Sequence, residues 1–576
     1  MIKNKIFITL FLFFQLSCSD PFDLTRTDII SDELVFDDPV LADAFLFDLY
    51  DRARFHISSG NGNLNMGLIS SYGGESRNYG VSWQIPYTQV IDVDYNENGL
   101  MGKVLDYYNY RLIRECNQLI TKLPESERLS ESFINSRVSE AKFIRAHAYF
   151  EMVKRFGGVP LVTDVIPVQG SEDELFRPRN SEKEIYDFIL SEMNDIVNHL
   201  PVYPEQDGRI SKWAALSLKS RSMLYAASVA NFGTEQLDGL LGINNSDANY
   251  YYLESLNASR EIIRSGIFSL YRKDPDPVKN FGDLFIDESN NSEVIFAEKY
   301  DYDEGKSHQW DALAQPSGFG FNWSSNYTVY LETLEQFDFT DGSSGMLDRS
   351  IYDDATEIDP NWFFEMRDPR MRASIFYPGS SFKGGTVHFH RSTSGTIAGW
   401  PKTGPSKHIG SMATGLLIRK RTNPETPDAT RSSTDFIIFR LGEIILNYVE
   451  AAYYLGDPNG DMLANMNNLR ERAGMPSLSL SQLDEDKIRQ ERRCELAFEE
   501  HNFWDLRRWR IAVQELDNKQ RHRLHYRYNA NTKKYTIEMA EGDLGGVRLH
   551  PPRNYYYALG LSRLADNPKL IENPGY

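Results

Sequence analysis

Three cysteines in 576 residues cannot staple a chain of this size, which excludes a disulfide scaffold. Long apolar runs are missing as well. The clearest, residues 6–14, has nine members, against the roughly 20 that a membrane-crossing helix needs. Positive charge is in deficit: 62 Lys+Arg stand against 82 Asp+Glu, a net of -20, and no basic run exceeds Arg419-Lys420-Arg421. Nucleic-acid binding draws on counterion release at basic patches, so nucleic acid is excluded as a partner. Catalytic signatures are absent too. There is no phosphate loop ending in Gly-Lys-Ser/Thr, no Gly-x-Ser-x-Gly elbow and no His-Glu-x-x-His helix. His388 and His390 would share a strand face but lack a third ligand nearby. Asp457 opens a calcium-like loop that fails at its sixth position, Met462, and its twelfth, Asn468. The Ser380/Lys383 pair is a chance spacing, and acid pairs such as Asp353-Asp354 carry no weight among 82 acids. No metal, no cofactor and no catalytic residue is expected.

What remains is a large water-facing fold. Charged residues make 25% and hydrophobic residues 41%, ordinary for a soluble chain. The length is roughly twice that at which one hydrophobic core stops growing, so several units or one composite fold are expected. Aromatic residues reach 13%, a large supply of flat amphipathic faces. At the N-terminus Lys3 and Lys5 precede the apolar residues 6–14, the pattern of a secretory signal peptide. Ser17-Cys18 follows and resembles a bacterial lipoprotein cleavage site, although Gln15 stands where such sites usually carry Leu. Residues 1–17 are read as the signal peptide, Cys18 as the lipidated first residue, and the acidic residues 18–40 as a tether. Cys116 and Cys494 fall in helical segments and read as small buried hydrophobes.

Apolar residues recur at spacings of three and four over residues 100–123, 137–156, 181–200, 211–230 and 250–264. Breaks such as Pro124 and Gly157-Gly158 separate them, and small residues such as Ala146, Ala214 and Ala226 lie along their stripes. This predicts a helical repeat region over 41–270, resembling tetratricopeptide pairs. Over 271–431 the stripes fade, Gly, Pro, Asp and Ser punctuate the chain, and aromatics cluster. A long insert this rich in rings reads as a functional one. Helical pattern resumes over 435–455, 461–473 and 483–509, so 432–515 is assigned as the last helical part and 516–576 as a mixed C-terminal segment.

The run from Ile488 to Trp509, containing Glu491, Arg492, Arg493, Glu495, Phe498, Trp504, Asp505, Arg507 and Arg508, closely resembles the signature of the SusD/RagB family. Its many charges beside large apolar groups predict buried ion pairs joining one element to another. Glu140-Ala141-Lys142-Phe143-Ile144-Arg145-Ala146, Phe156-Gly157-Gly158, Arg367-Asp368-Pro369-Arg370, Leu441-Gly442-Glu443, Leu469-Arg470-Glu471-Arg472-Ala473-Gly474 and the terminal Asn573-Pro574-Gly575-Tyr576 follow in the family's order. The resemblance implies a mostly α fold: a tetratricopeptide-like right-handed superhelix of about four helix pairs with a large irregular insert. It also implies a binding protein rather than an enzyme, lipid-anchored in the outer membrane and facing outward. Such a protein passes an oligosaccharide or other nutrient to a SusC-like TonB-dependent transporter. The alternatives are the same architecture binding peptides and, more remotely, a glycoside hydrolase.

A sugar site needs flat rings for C–H faces and polar groups for hydroxyls. Two loop segments supply both: residues 72–87, with Tyr79, Trp83, Glu75, Arg77 and Asn78, and residues 300–330, with Trp310, Trp323, Tyr327, Asn322 and Asn326. These ten are the expected ligand-binding residues.

Overall fold

The structure, a computed structural model, describes residues 32–56, 68–78, 106–167, 169–321, 324–353, 355–394, 414–543 and 547–576. Cys18 lies outside them. Ten helices organise the chain: α1 (Pro39–Ala53), α2 (Tyr110–Lys122), α3 (Glu131–Phe156), α4 (Glu182–Ile196), α5 (Lys212–Phe232), α6 (Ala248–Arg264), α7 (Leu441–Tyr454), α8 (Met462–Arg472), α9 (Glu485–Glu495) and α10 (Asn502–Arg508). Six of these helices, α1 to α5 and α9, start at a side chain that satisfies a free backbone N–H group. Asp38 accepts from Val40 and Leu41 before α1, and Ser211 accepts from Ala214 before α5. Ser181 and Glu184 form a reciprocal capping box before α4.

The helices stack as four pairs, α1/α2, α3/α4, α5/α6 and α7/α8, with α2 against α3, α4 against α5 and α6 against α7. The last of these contacts is the informative one. The third and fourth pairs are neighbours in space, so the whole insert leaves and re-enters the stack between them. Within the third pair, α5 and α6 carry small buried residues, including Ala226, Ala227, Ser220, Ser255 and Ser259. The serine hydroxyls are satisfied in place: Ser220 and Ser259 lie 2.8 Å apart, and Asn447 of α7 donates to Ser220 at 3.0 Å.

Three helix expectations are revised. The segment over 435–455 is a strand, Phe436–Arg440, before it is a helix, because its β-branched and aromatic run pairs with Val294–Glu298. α3 starts at Glu131, earlier than the stripe suggested, because Ser130 caps it. The signature segment 483–509 is two helices, with Phe498 (φ 61°) and Glu500 (φ 67°) in the left-handed region between them. Carbonyls at the end of α9 and in the turn after it are taken by cations of the insert: Lys420 donates to Glu495 O and Ala497 O at 3.0 Å, and Arg421 to Phe498 O at 2.8 Å. Cys116 and Cys494 are buried thiols.

The charges of the family motifs converge on one buried knot. Glu495 of α9 meets Arg370 (3.0 Å), Arg440 (2.7 Å) and Arg472. Arg370 also holds Asp368 and Glu491, Arg470 holds Glu491, and Glu293 bridges Arg440 and Arg472. Glu499 joins Arg440 to Lys420. Five carboxylates and five cations thus neutralise one another, nearly all below 4% side-chain exposure. Three cations hold the Glu495 carboxyl far below the usual carboxylate range despite its burial. Gly442 is required beside them, since a Cβ there would lie 2.2 Å from Arg440 Nη1 and 2.9 Å from Glu293 Oε1. A second cluster continues the signature: Asp505 pairs with Arg492 and Arg508 at 2.7 Å, and Arg508 reaches Glu450 of α7.

Removing one partner of such a knot strands the others in low dielectric, a cost of about 3–5 kcal/mol. Glu495→Gln should therefore lose several kcal/mol in urea unfolding at pH 7. A loss under about 1 kcal/mol would mean that the knot relaxes around the missing charge.

Candidate ligand-binding face

The insert carries a four-stranded sheet in the order Ser76–Asn78, Tyr327–Val329, Leu417–Ile418, Ile375–Phe376. Its first two strands are antiparallel, with Arg77 opposite Thr328 and Asn78 opposite Tyr327. The two segments picked from the sequence, far apart in the chain, therefore meet on adjacent strands. Thr328 Oγ1 donates to Arg77 O at 3.1 Å and fastens the junction.

Most of the candidates described here are interior, however. Trp310 and Tyr327 are each 1% exposed. They stack on one another with centroids 4.9 Å apart at 21°. The Arg421 guanidinium lies 4.5 Å from the Trp310 ring, and Trp310 Nε1 donates to Lys420 O at 3.2 Å. Neither ring offers a face to a ligand. Arg77 is buried and donates to Gly542 O at 2.8 Å, Asn326 is buried with its N–H on Leu313 O, and Glu75 is buried against the signature turn. These five are corrected from ligand contacts to groups that hold the insert together. Asn78 sits at the end of its strand, while Tyr79, Trp83, Asn322 and Trp323 lie outside the described residues.

Elsewhere in the insert the structure brings in residues that sequence reasoning missed. Gln315 accepts from Lys383 Nζ at 3.4 Å, while its own amide nitrogen is buried without a partner among the described residues. Such a group is costly and marks a place where another polar group belongs. Phe319 is half-buried and rests edge-on against Phe382 at 5.5 Å. Lys383 sits in a tight hairpin, Ser381–Phe382 against Gly385–Thr386, whose Gly384-Gly385 turn was the available signal. Among the described residues no group of three His, Cys, Asp or Glu could hold a metal ion, and no helix is long and apolar enough to cross a membrane.

Glu75 is electrostatically distinctive. It accepts from Phe498 N at 3.3 Å, but burial dominates and pushes its carboxyl up to about 8. At neutral pH it is mainly the uncharged acid.

Comparison with known proteins follows this geometry. The model of the SusD family matches residues 292–576, and a SusD-like model described as "Starch-binding associating with outer membrane" matches residues 61–224. The fold and these matches define a tetratricopeptide-like SusD-type protein. The chain belongs to the SusD/RagB family. A SusD-like protein of Bacteroides ovatus is 24% identical over 527 residues, covering 88% of this chain and 82% of that one. Among solved structures, a SusD-like protein from Bacteroides fragilis superposes with a TM-score of 0.74 at 25% identity, covering 95% and 99% of the two chains. A laminarin-binding SusD-like protein superposes with a TM-score of 0.63 at 20% identity, covering 93% and 99%.

The raised Glu75 carboxyl gives a pH signature. In the unfolded chain it ionises near 4.5, whereas the folded protein keeps its proton to about 8. Its contribution is fully favourable below 4.5 and is lost as pH rises through that window. Glu75→Gln should match wild type at pH 4.5 and have the higher Tm at pH 8.5. A constant difference between the two across that range would place the Glu75 carboxyl in its ordinary range.

Proposed function

We propose that this protein is a lipid-anchored outer-membrane receptor that binds an oligosaccharide and delivers it to a SusC-like TonB-dependent transporter. The carrying observation is the junction of Asn78 with Tyr327. Two segments rich in rings and hydroxyl-binding groups start from neighbouring strands of one sheet. Membership of the SusD family, the starch-binding description of the model over 61–224 and the laminarin-binding structural relative support a glycan as the ligand. Tyr79, Trp83, Asn322 and Trp323, with Asn78, are the groups assigned to it. The role asked of them is binding and release, with no bond made or broken.

The anchor follows from Cys18 behind its short apolar leader. Two or more acyl chains hold a protein stably at a membrane where one is marginal. A tethered binder has no path across the membrane by itself, which is why a barrel partner belongs to the proposal.

Affinity gel electrophoresis of the mature protein through soluble starch, laminarin and xylan tests the glycan reading, with retardation by at least one expected. Trp83→Ala and Trp323→Ala should then each weaken binding about tenfold, within the roughly 1–3 kcal/mol that stacking on one ring supplies elsewhere. Their Tm should stay near that of wild type. A large fall in Tm, or unaltered affinity in both, would move the site away from these rings.

Cys18→Ala should abolish fatty-acid labelling and release the protein from the membrane fraction. Mild detergent extraction of the wild type should co-purify a TonB-dependent barrel in comparable amount. Persistent labelling would defeat the anchor, and repeated recovery of the chain alone would defeat the partner.

A further inference from the structure

Exposed aromatic residues outside the two predicted segments include Phe47, Tyr203, Tyr250 and Trp362. Trp362 is 40% exposed, whereas Trp213, Trp310, Trp504 and Trp509 are all 6% or less. Single exposed apolar residues are common and by themselves mean little. Trp362 differs in being mounted. It stands on a short π-helical turn, Asn361–Glu365, a rare conformation concentrated at functional sites. Its indole lies parallel to the Phe339 ring, 5.5 Å away at 16°. On Phe339 lies the Arg367 guanidinium, 4.6 Å from the ring centroid. Arg367 is fully buried and donates to Phe363 O (2.9 Å), Phe337 O (3.0 Å) and Gly345 O (2.8 Å). The tryptophan therefore rests on a ring fixed by a guanidinium tied into both neighbouring segments. A platform held this way loses little freedom when something lies on it.

Its rim is polar and acidic. Phe339 and Arg367 pair across an isolated bridge, and Thr340 beside it donates to Met366 O at 2.8 Å. The next residue, Asp341, accepts from Ser343, and Asp359 accepts from Asn361 N at 2.9 Å. The Trp362 indole N–H has no partner among the described residues. Exposed Met366 (46%), whose carbonyl accepts from Thr340, adds deformable apolar surface.

We propose that Trp362 is an additional sugar-stacking platform that takes a pyranose ring of a neutral oligosaccharide. The inference rests on the glycan reading above. The flat outer face meets the C–H face of the ring, while the indole N–H and the Thr340, Asp341 and Asn361 side chains are of the kinds that bind hydroxyls. The acidic rim on a chain of net charge -20 disfavours uronates and sulfated sugars. A protein hot spot would use the same indole, but would seek a continuous apolar surround in place of these hydrogen-bonding groups.

The test uses the mature chain in gels containing soluble starch, laminarin, xylan or alginate. Trp362→Ala should lose tenfold or more in affinity for whichever neutral polymer retards the wild type, with Tm near that of wild type. Trp362→Phe, which keeps a flat ring, should retain most of the binding. If the alanine variant folds poorly, the phenylalanine variant decides by fluorescence. The emission change on adding the polymer must shrink when the indole is gone, and an identical change overturns the proposal. Unchanged affinity in a folded alanine variant overturns the platform and leaves the glycan reading standing. Preference for alginate over all three neutral polymers overturns the assignment to neutral sugars. Retardation by none of the four removes the platform together with the reading on which it rests.

Discussion

Glu495 shares three guanidiniums inside the protein, and the rest of the structure is arranged so that it can. Arg370 comes from the insert, Arg440 from the strand leading into α7, and Arg472 from the end of α8. A buried ion pair is poor evidence of net stability, because desolvation cancels most of the attraction. Its effect is on specificity. Three chain segments must arrive together with complementary charges, because leaving one out would strand a buried charge in low dielectric. Glu293 and Glu499 extend the same constraint to the strand Val294–Glu298 and to Lys420. The knot thus fastens the irregular insert to the regular stack at the place where the chain leaves and returns.

This attachment ties an insert with little regular structure to the helical stack. Its aromatic residues form cores of their own. Trp310 stacks on Tyr327, Phe364 on Tyr377 at 4.8 Å, and Phe376 meets Phe382 edge-on at 5.1 Å. Cations lie on buried rings as well. Lys420, whose ammonium burial lowers to about 8, sits 4.5 Å from Phe285, and Arg421 lies over Trp310. Charged groups and rings thus pack together in the interior beside the strand that carries Tyr327.

The C-terminus is bound into the stack by the same means. Arg179 donates to Phe156 O and Gly158 O, at 2.7 Å each, and to the side chain of Asn573 at 2.9 Å. Asn573 in turn donates to Phe156 O and Tyr557 O. The tight Phe156-Gly157-Gly158 exit of α3 and the terminal Asn-Pro-Gly-Tyr are therefore two halves of one joint. Gly158 has no room for a side chain, since a Cβ would lie 2.1 Å from Asn180 O.

The sequence by itself determined the helical stack and the family. Both are written in local terms: apolar residues at helical spacing, Ser and Asp caps, glycine exits, and charged motifs in a fixed order. It also indicated that the charges of residues 488–509 would be buried as pairs, because so many ions beside Leu496, Phe498 and Trp504 have no other way to be accommodated. Only the tertiary structure decided which rings are core and which are surface. Trp310 and Trp362 both sit among Gly, Pro and Asp, without the periodicity that marks a buried face on a helix or strand. One is 1% exposed and the other 40%. That difference comes from segments distant in the chain, Arg421 and Tyr327 closing over the first and Phe339 supporting the second from below. In an irregular insert, burial is a long-range property, and nothing local to the residue records it.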